Sequence, residues 1–171
     1  IEMNAKNKTD ALEAAFRKGD VFFEKRDYES AATQYARAVA KYPESWSAFP
    51  NASYNLAEAQ FWQGQNKQAL QTYRDFLQKF PDHVHGGYAM TRLGELLEIL
   101  TGDQKRAAGA YMESYFRYRA TPGAAIARIR ILAQRLPEMK EKELATSIKE
   151  IQELAANSHL PDMHEFVAFV L

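Results

Sequence analysis

Three alanines and three tyrosines recur at one fixed interval. Ala31, Ala69 and Ala107 stand 38 residues apart, as do Tyr35, Tyr73 and Tyr111, and Pro43 and Pro81 keep the same spacing. A small residue followed four positions later by an aromatic puts both on one helix face. Recurrence of such a pair at this kind of period marks stacked supersecondary units, none of which can bury its apolar face alone. The unit is clearest over residues 53–81, where a Gly-containing turn separates two helix-like segments and a proline closes them. The expected fold is therefore all-α, built from helix hairpins side by side.

Composition narrows the function classes. Hydrophobic residues at 46% and charged residues at 26% are those of a folded chain rather than a disordered one. The 22 basic and 22 acidic residues balance, which leaves no global pull toward nucleic acid or a membrane surface. The absence of cysteine removes disulfides, thiolate metal sites and cysteine nucleophiles together. That suits the cytoplasm, and equally a bacterial envelope protein. No apolar run reaches the roughly 18 residues of a membrane-spanning helix. The chain begins with Ile1 and stops at Leu171 inside an apolar helical pattern, so it reads as an excised segment.

Residues 1–8 are polar and without periodicity, and read as a flexible lead-in. Asp10 with Glu13 has the pattern of a capping box at a helix start. Lys25, Arg26 and Asp27 form the first turn, with Asp27 as cap, and the next helix runs from Tyr28 to about Tyr42 with Ala31, Tyr35, Ala38 and Val39 inward. In the third unit, residues 101–103 add about one residue to the turn, and Arg119 replaces the closing proline. Beyond residue 120 the period fades while helices continue. Thr121 and Pro122 are a cap and a first-turn proline. Ile126, Ile129, Ala133 and Leu136 form one stripe; Leu144, Ile148, Ile151 and Ala155 form the next. Pro161 and Asp162 start a last helix with Met163, Phe166, Val167 and Val170 on one face. The expected division is three hairpins over 9–120 and a helical cap over 121–171.

These residues resemble the tetratricopeptide repeat, whose pattern is W-x2-L-G-x2-Y followed by A-x3-F-x2-A-x4-P. The first copy matches at Ala15, Lys18, Gly19, Phe22, Ala31, Tyr35, Ala38 and Pro43; the second at Ser53, Leu56, Ala57, Gln60, Ala69, Tyr73, Phe76 and Pro81; the third at Met90, Leu93, Gly94, Leu97, Ala107, Tyr111 and Ser114. The interval exceeds the family's usual period of about 34 residues, and the excess falls in 44–49 and 82–87. That style, with the phrase FxxKFPDH over 76–83, resembles bacterial envelope versions of the repeat, among them the periplasmic coordinator of the Tol-Pal system and the outer-membrane assembly lipoprotein. The resemblance implies a right-handed superhelical stack whose first helices line a concave side and hold a segment of a partner protein, with no catalysis and no cofactor.

Carried over by position, the partner-binding candidates are Phe16, Asp20, Phe23 and Glu24 in the first copy, Tyr54, Glu58, Phe61 and Trp62 in the second, and Tyr88, Glu95 and Glu98 in the third. Asp20, Glu58 and Glu95 follow the small crossing residues Gly19, Ala57 and Gly94, so a carboxylate row flanked by aromatics is expected, suited to a Lys/Arg-bearing protein or peptide. The bland alternatives are packing for the aromatics and a solvated face for the acids.

Chemistry is otherwise sparse. His83 and His85 flank Val84 in a stretch that reads as a solvated loop. Neither they nor His159 and His164 complete a metal-ligand set. Gly86 and Gly87 lack the lysine and serine of a phosphate loop and read as a flexible connection. The basic residues of 103–135, interleaved with Tyr115, Phe116 and Tyr118, admit a nucleic-acid reading. Folding back of the acidic helix after Pro137 is the simpler one, so no nucleic-acid partner is expected. Two further function classes remain: a structural protein that self-associates through its C-terminal helix, and an accessory domain of a larger protein such as an enzyme.

Overall fold

Hairpins form here because three turns repeat one unusual backbone geometry. Arg26, Gly64 and Gly102 lie 38 residues apart, and each takes a left-handed φ, at 58°, 71° and 65°. Only glycine adopts this conformation without steric cost. The next residues, Asp27, Gln65 and Asp103, are the N-caps of the following helices. Asp27 and Asp103 accept the backbone N–H of Ser30 and Arg106, whereas Gln65 makes no side-chain cap. Gly64 and Gly102 keep the interval, so the third turn carries no extra residue. The addition expected over 101–103 is corrected.

The computed structural model describes residues 2–157 and 163–171. The described residues form helices and no strand, in two compact units, 1–83 and 84–171.

In the first unit α1 (Glu2–Glu24) pairs with α2 (Tyr28–Lys41), and α3 (Pro50–Trp62) pairs with α4 (Asn66–Lys79). Helix α3 also packs on both α1 and α2. Helix α1 starts at Glu2, so residues 2–8 are helical and Asp10 lies inside the helix rather than at its cap. Glu13 bonds Arg17 one turn on, at 2.7 Å, and does not close a capping box. Phe16, Ala31, Tyr35, Ala38, Ala52 and Ala59 form the core. The lengthened connection has a use there. Residues Pro43–Ala48 wind into a 3₁₀ turn and deliver Phe49, whose ring stacks on Phe16 at 4.3 Å.

The second unit holds α5 (Gly86–Thr101), α6 (Gln104–Arg117), α7 (Pro122–Arg135), α8 (Glu141–Asn157) and α9 (Met163–Val170). Helices α5 and α6 pair, and α7 packs on both of them, as α3 does on α1 and α2. Thr121 caps α7 by accepting the Ala124 N–H. Helix α9 places Met163 and Val167 in a core with Ile129, Leu132, Ile151 and Ala155. The expected start at Pro161 and Asp162 lies outside the described residues, as does the Val170 side chain.

Gly86 and Gly87 are not a loose connection. Both are buried at the start of α5, where a methyl group on Gly86 would lie 2.3 Å from the Tyr118 ring. A methyl on Gly123 would lie 2.4 Å from the Gly87 backbone, so α5 and α7 meet with nothing between them. Around this contact Thr91 donates to the Gly87 carbonyl at 2.8 Å, and so does Ser114.

Candidate functional site

The candidate residues divide into those the repeat consumes and those it leaves at the surface. The repeat tyrosine draws the line. Tyr35 and Tyr111 are fully buried because Gly19 and Gly94 make room: a methyl on either glycine would lie 2.3 or 2.4 Å from the facing ring. The ring then runs past the first helix and its hydroxyl emerges beside a carboxylate.

In the first unit the Tyr35 hydroxyl donates to Asp20 Oδ1 at 2.6 Å, and the Asn55 amide donates to the same oxygen at 3.3 Å. Burial, then the bond to Asp20, raises the Tyr35 phenol far above its ordinary value. Glu58, 6% exposed, accepts from the hydroxyls of Tyr73 and Tyr54 and from the Trp62 indole N–H, the last two at 3.2 Å. In the second unit Tyr111 donates to Glu98 instead, at 2.8 Å, and Gln134 adds a second bond to Glu98.

Glu95 has cationic partners. Arg92 reaches it at 2.7 Å, and Arg130 of α7 places both Nε and Nη2 on Oε1 at 3.0 and 2.5 Å. Burial alone would raise this carboxyl. The charges and hydrogen bonds of Arg92 and Arg130 outweigh it and hold Glu95 below its ordinary value. The Phe166 ring of α9 covers the Arg130 guanidinium at 4.8 Å.

The expected open carboxylate row is thereby corrected. Glu58 and Glu95 are buried and spent on bonds inside the protein, and Asp20 is half-buried under Tyr35 and Asn55. Packing does call for Asp20 and Glu58, because a buried phenol needs an acceptor, and Glu95 is held by the guanidinium groups of Arg92 and Arg130. Phe16, 1% exposed, belongs to the core and not to a groove. Tyr54 packs on Tyr73 and Phe76, with ring centroids at 6.2 and 5.7 Å. Tyr88 is half-buried beside His85.

What remains at the surface is an aromatic cluster in the first unit. Trp62 is 53% exposed. Its ring stacks on Tyr28 at 6.1 Å, meets Phe61 edge-on at 5.5 Å, and is fixed through its N–H to Glu58. Phe23 meets Tyr28 at 5.7 Å, and the neighbouring Glu24 is exposed. Tyr28, which was not among the candidates, joins the two helix ends. Its place as the first residue after the Asp27 cap was the clue to it.

The remaining expectations concern metal and nucleic acid. His83 packs its ring against Phe76 at 5.3 Å, and burial lowers its pKa, so it is no solvated loop residue. His159 and the side chain of His164 lie outside what the structure describes. Among the described residues no group of acids and histidines is arranged to hold a metal ion, and no helix is long and apolar enough to cross a membrane. The basic stretch is met by α8 as expected: Arg128 binds Glu150 through two bonds at 2.6 and 3.0 Å, and Arg135 binds Glu143 at 3.0 Å.

A family model described as Tetratricopeptide repeat matches residues 5–45 and 16–84. The match supports a tetratricopeptide repeat protein and covers the helices of the first unit. It indicates no catalytic family. No curated protein matches the chain.

Proposed function

We propose, for a chain whose first four helices match the tetratricopeptide repeat, that it is a non-enzymatic adaptor holding a segment of a partner protein. Repeats of this kind generally mediate protein–protein interaction. The observation that carries the reading is Trp62, half out of the surface yet held by Tyr28, Phe61 and Glu58. A large ring already fixed in place loses little entropy on binding, which is what makes an anchor for a partner. Phe23 and Tyr28 extend the surface, while the exposed Glu24 gives it a negative edge suited to a Lys/Arg-bearing extended or helical peptide. Helix α3 carries no basic residue of its own.

A peptide array tests this, read against the full chain and its Trp62→Ala variant. Enrichment of Lys/Arg-bearing peptides by the native chain, lost in the variant, is the expected result. Equal capture by both chains would remove Trp62 from the function. The lengthened interval is the reason to place this adaptor in a bacterial envelope assembly, and fractionation of cells expressing the full-length gene product decides the compartment.

A further inference from the structure

The repeat supplies its own control for every helix face. Helix α6 buries Ala107, Ala110, Tyr111 and Ser114, and it packs on α5 and α7. Its opposite face bears Gly109, Met112 and Phe116, which fall on one stripe at helical spacing. Met112 is 47% exposed and Phe116 58%. The corresponding positions are Thr33, Ala36 and Ala40 on α2, and Gln71, Arg74 and Gln78 on α4, all exposed. Stacking therefore asks for no large apolar side chain on this face, and of these three helices α6 alone carries them.

Gly109 departs further. Nothing lies within 4 Å of the place its Cβ would take, so neither close packing nor a left-handed turn accounts for a glycine there. Glycine weakens a helix relative to alanine. A bare backbone beside a flexible Met and an exposed ring lets another helix approach closely.

The ends of the stripe are basic. Lys105 and Arg106 lie at its start, and Arg119 sets its guanidinium 5.5 Å from the Phe116 ring centroid. None of these three forms an ion pair among the described residues. Glu113, the one acid within α6, is paired with Arg117 at 3.6 Å. We propose that this face of α6 is a second docking surface, which takes an acidic amphipathic helix from a partner protein. Small and apolar residues of that helix would cross at Gly109 and cover Met112 and Phe116. Its acids would reach Lys105 and Arg106 at one end and Arg119, just past the end of α6, at the other; Lys105 to Arg117 spans about 18 Å, or roughly 12 residues of helix. The proposal is independent of the Trp62 surface, which lies in the other unit.

The test uses the full chain and three synthetic helical peptides with one apolar stripe and acidic, neutral or basic flanks. The acidic peptide is expected to bind at least 10-fold tighter than the basic one and to weaken as salt is raised. Gly109→Gln places a side chain in open space, so the variant should melt no lower than the native chain while binding the acidic peptide at least 10-fold more weakly. Phe116→Ser should weaken it similarly, and Trp62→Ala should leave it unchanged. No preference for the acidic peptide, or unchanged binding by Gly109→Gln, overturns the proposal. Concentration-dependent sedimentation of the chain alone, abolished by Phe116→Ser, would instead make a second copy the occupant. Equal binding of anionic vesicles or an oligonucleotide, indifferent to Gly109→Gln, would reduce the face to its charge. Either result also overturns it.

Discussion

At the scale of single residues, the repeat shows where this chain departs from its own best solution. Arg26 holds a φ of 58° where the other two turns have glycine. Arg26→Gly is expected to stabilise the chain by about 1 kcal/mol, since a left-handed non-glycine residue costs roughly that much. Gln65 stands where Asp27 and Asp103 cap their helices. Gln65→Asp is expected to add about 1 kcal/mol by the same bond. Chemical denaturation reads both, and a loss of stability in either variant would contradict the 38-residue correspondence. In the other direction, Gly19→Ala drives a methyl into the Tyr35 ring and should cost roughly 1–3 kcal/mol. The alanine and tyrosine period and the Asp27 cap were legible because they are local signals. The left-handed turn was half hidden, since one of its three positions is an arginine.

Between elements, polar side chains on neighbouring first helices meet at a nearly constant sequence separation. Asn55 reaches Asp20, Arg130 reaches Glu95 and Gln134 reaches Glu98 across 35, 35 and 36 residues. Only stacked hairpins bring such positions together, so these contacts were unreadable until the fold was in hand. The same holds for the acids. Their neighbours in sequence gave no reason for them, because each reason lies on another helix. The α5–α7 pair has a pH dependence with a definite sign. Glu95 is held below its ordinary value of 4.5, so its ionised form contributes stability above that pH. This contribution is lost as the pH falls through the lower, folded value. Glu95→Gln should flatten that acid limb in an acid titration followed by circular dichroism. An unchanged limb would mean that the ion pair with Arg130 is not what acid breaks. Removing Arg130 alone, as Arg130→Met, leaves a buried carboxylate with one partner fewer and should cost about 3–5 kcal/mol.

For the molecule as a whole, the fold class and hairpin order were legible from periodicity, whereas the assignment of acids to a binding groove was not. A carboxylate beside a small crossing residue has the same sequence appearance whether it faces a ligand or a buried phenol. Within each unit the tyrosine of a second helix is tied to an acid of its own first helix, and this pairing holds each hairpin to one geometry. It also separates the scaffold from the surface: the acids belong mostly to the former, and Trp62 with its neighbours to the latter. The most direct test is a double-mutant cycle on Tyr73→Phe and Glu58→Gln, with stability measured by urea denaturation of the full chain. A coupling of about 1–3 kcal/mol is expected for a buried hydrogen bond to a charged acceptor. Two losses that simply add, to within about 0.5 kcal/mol, would show that Glu58 does not serve the repeat tyrosine.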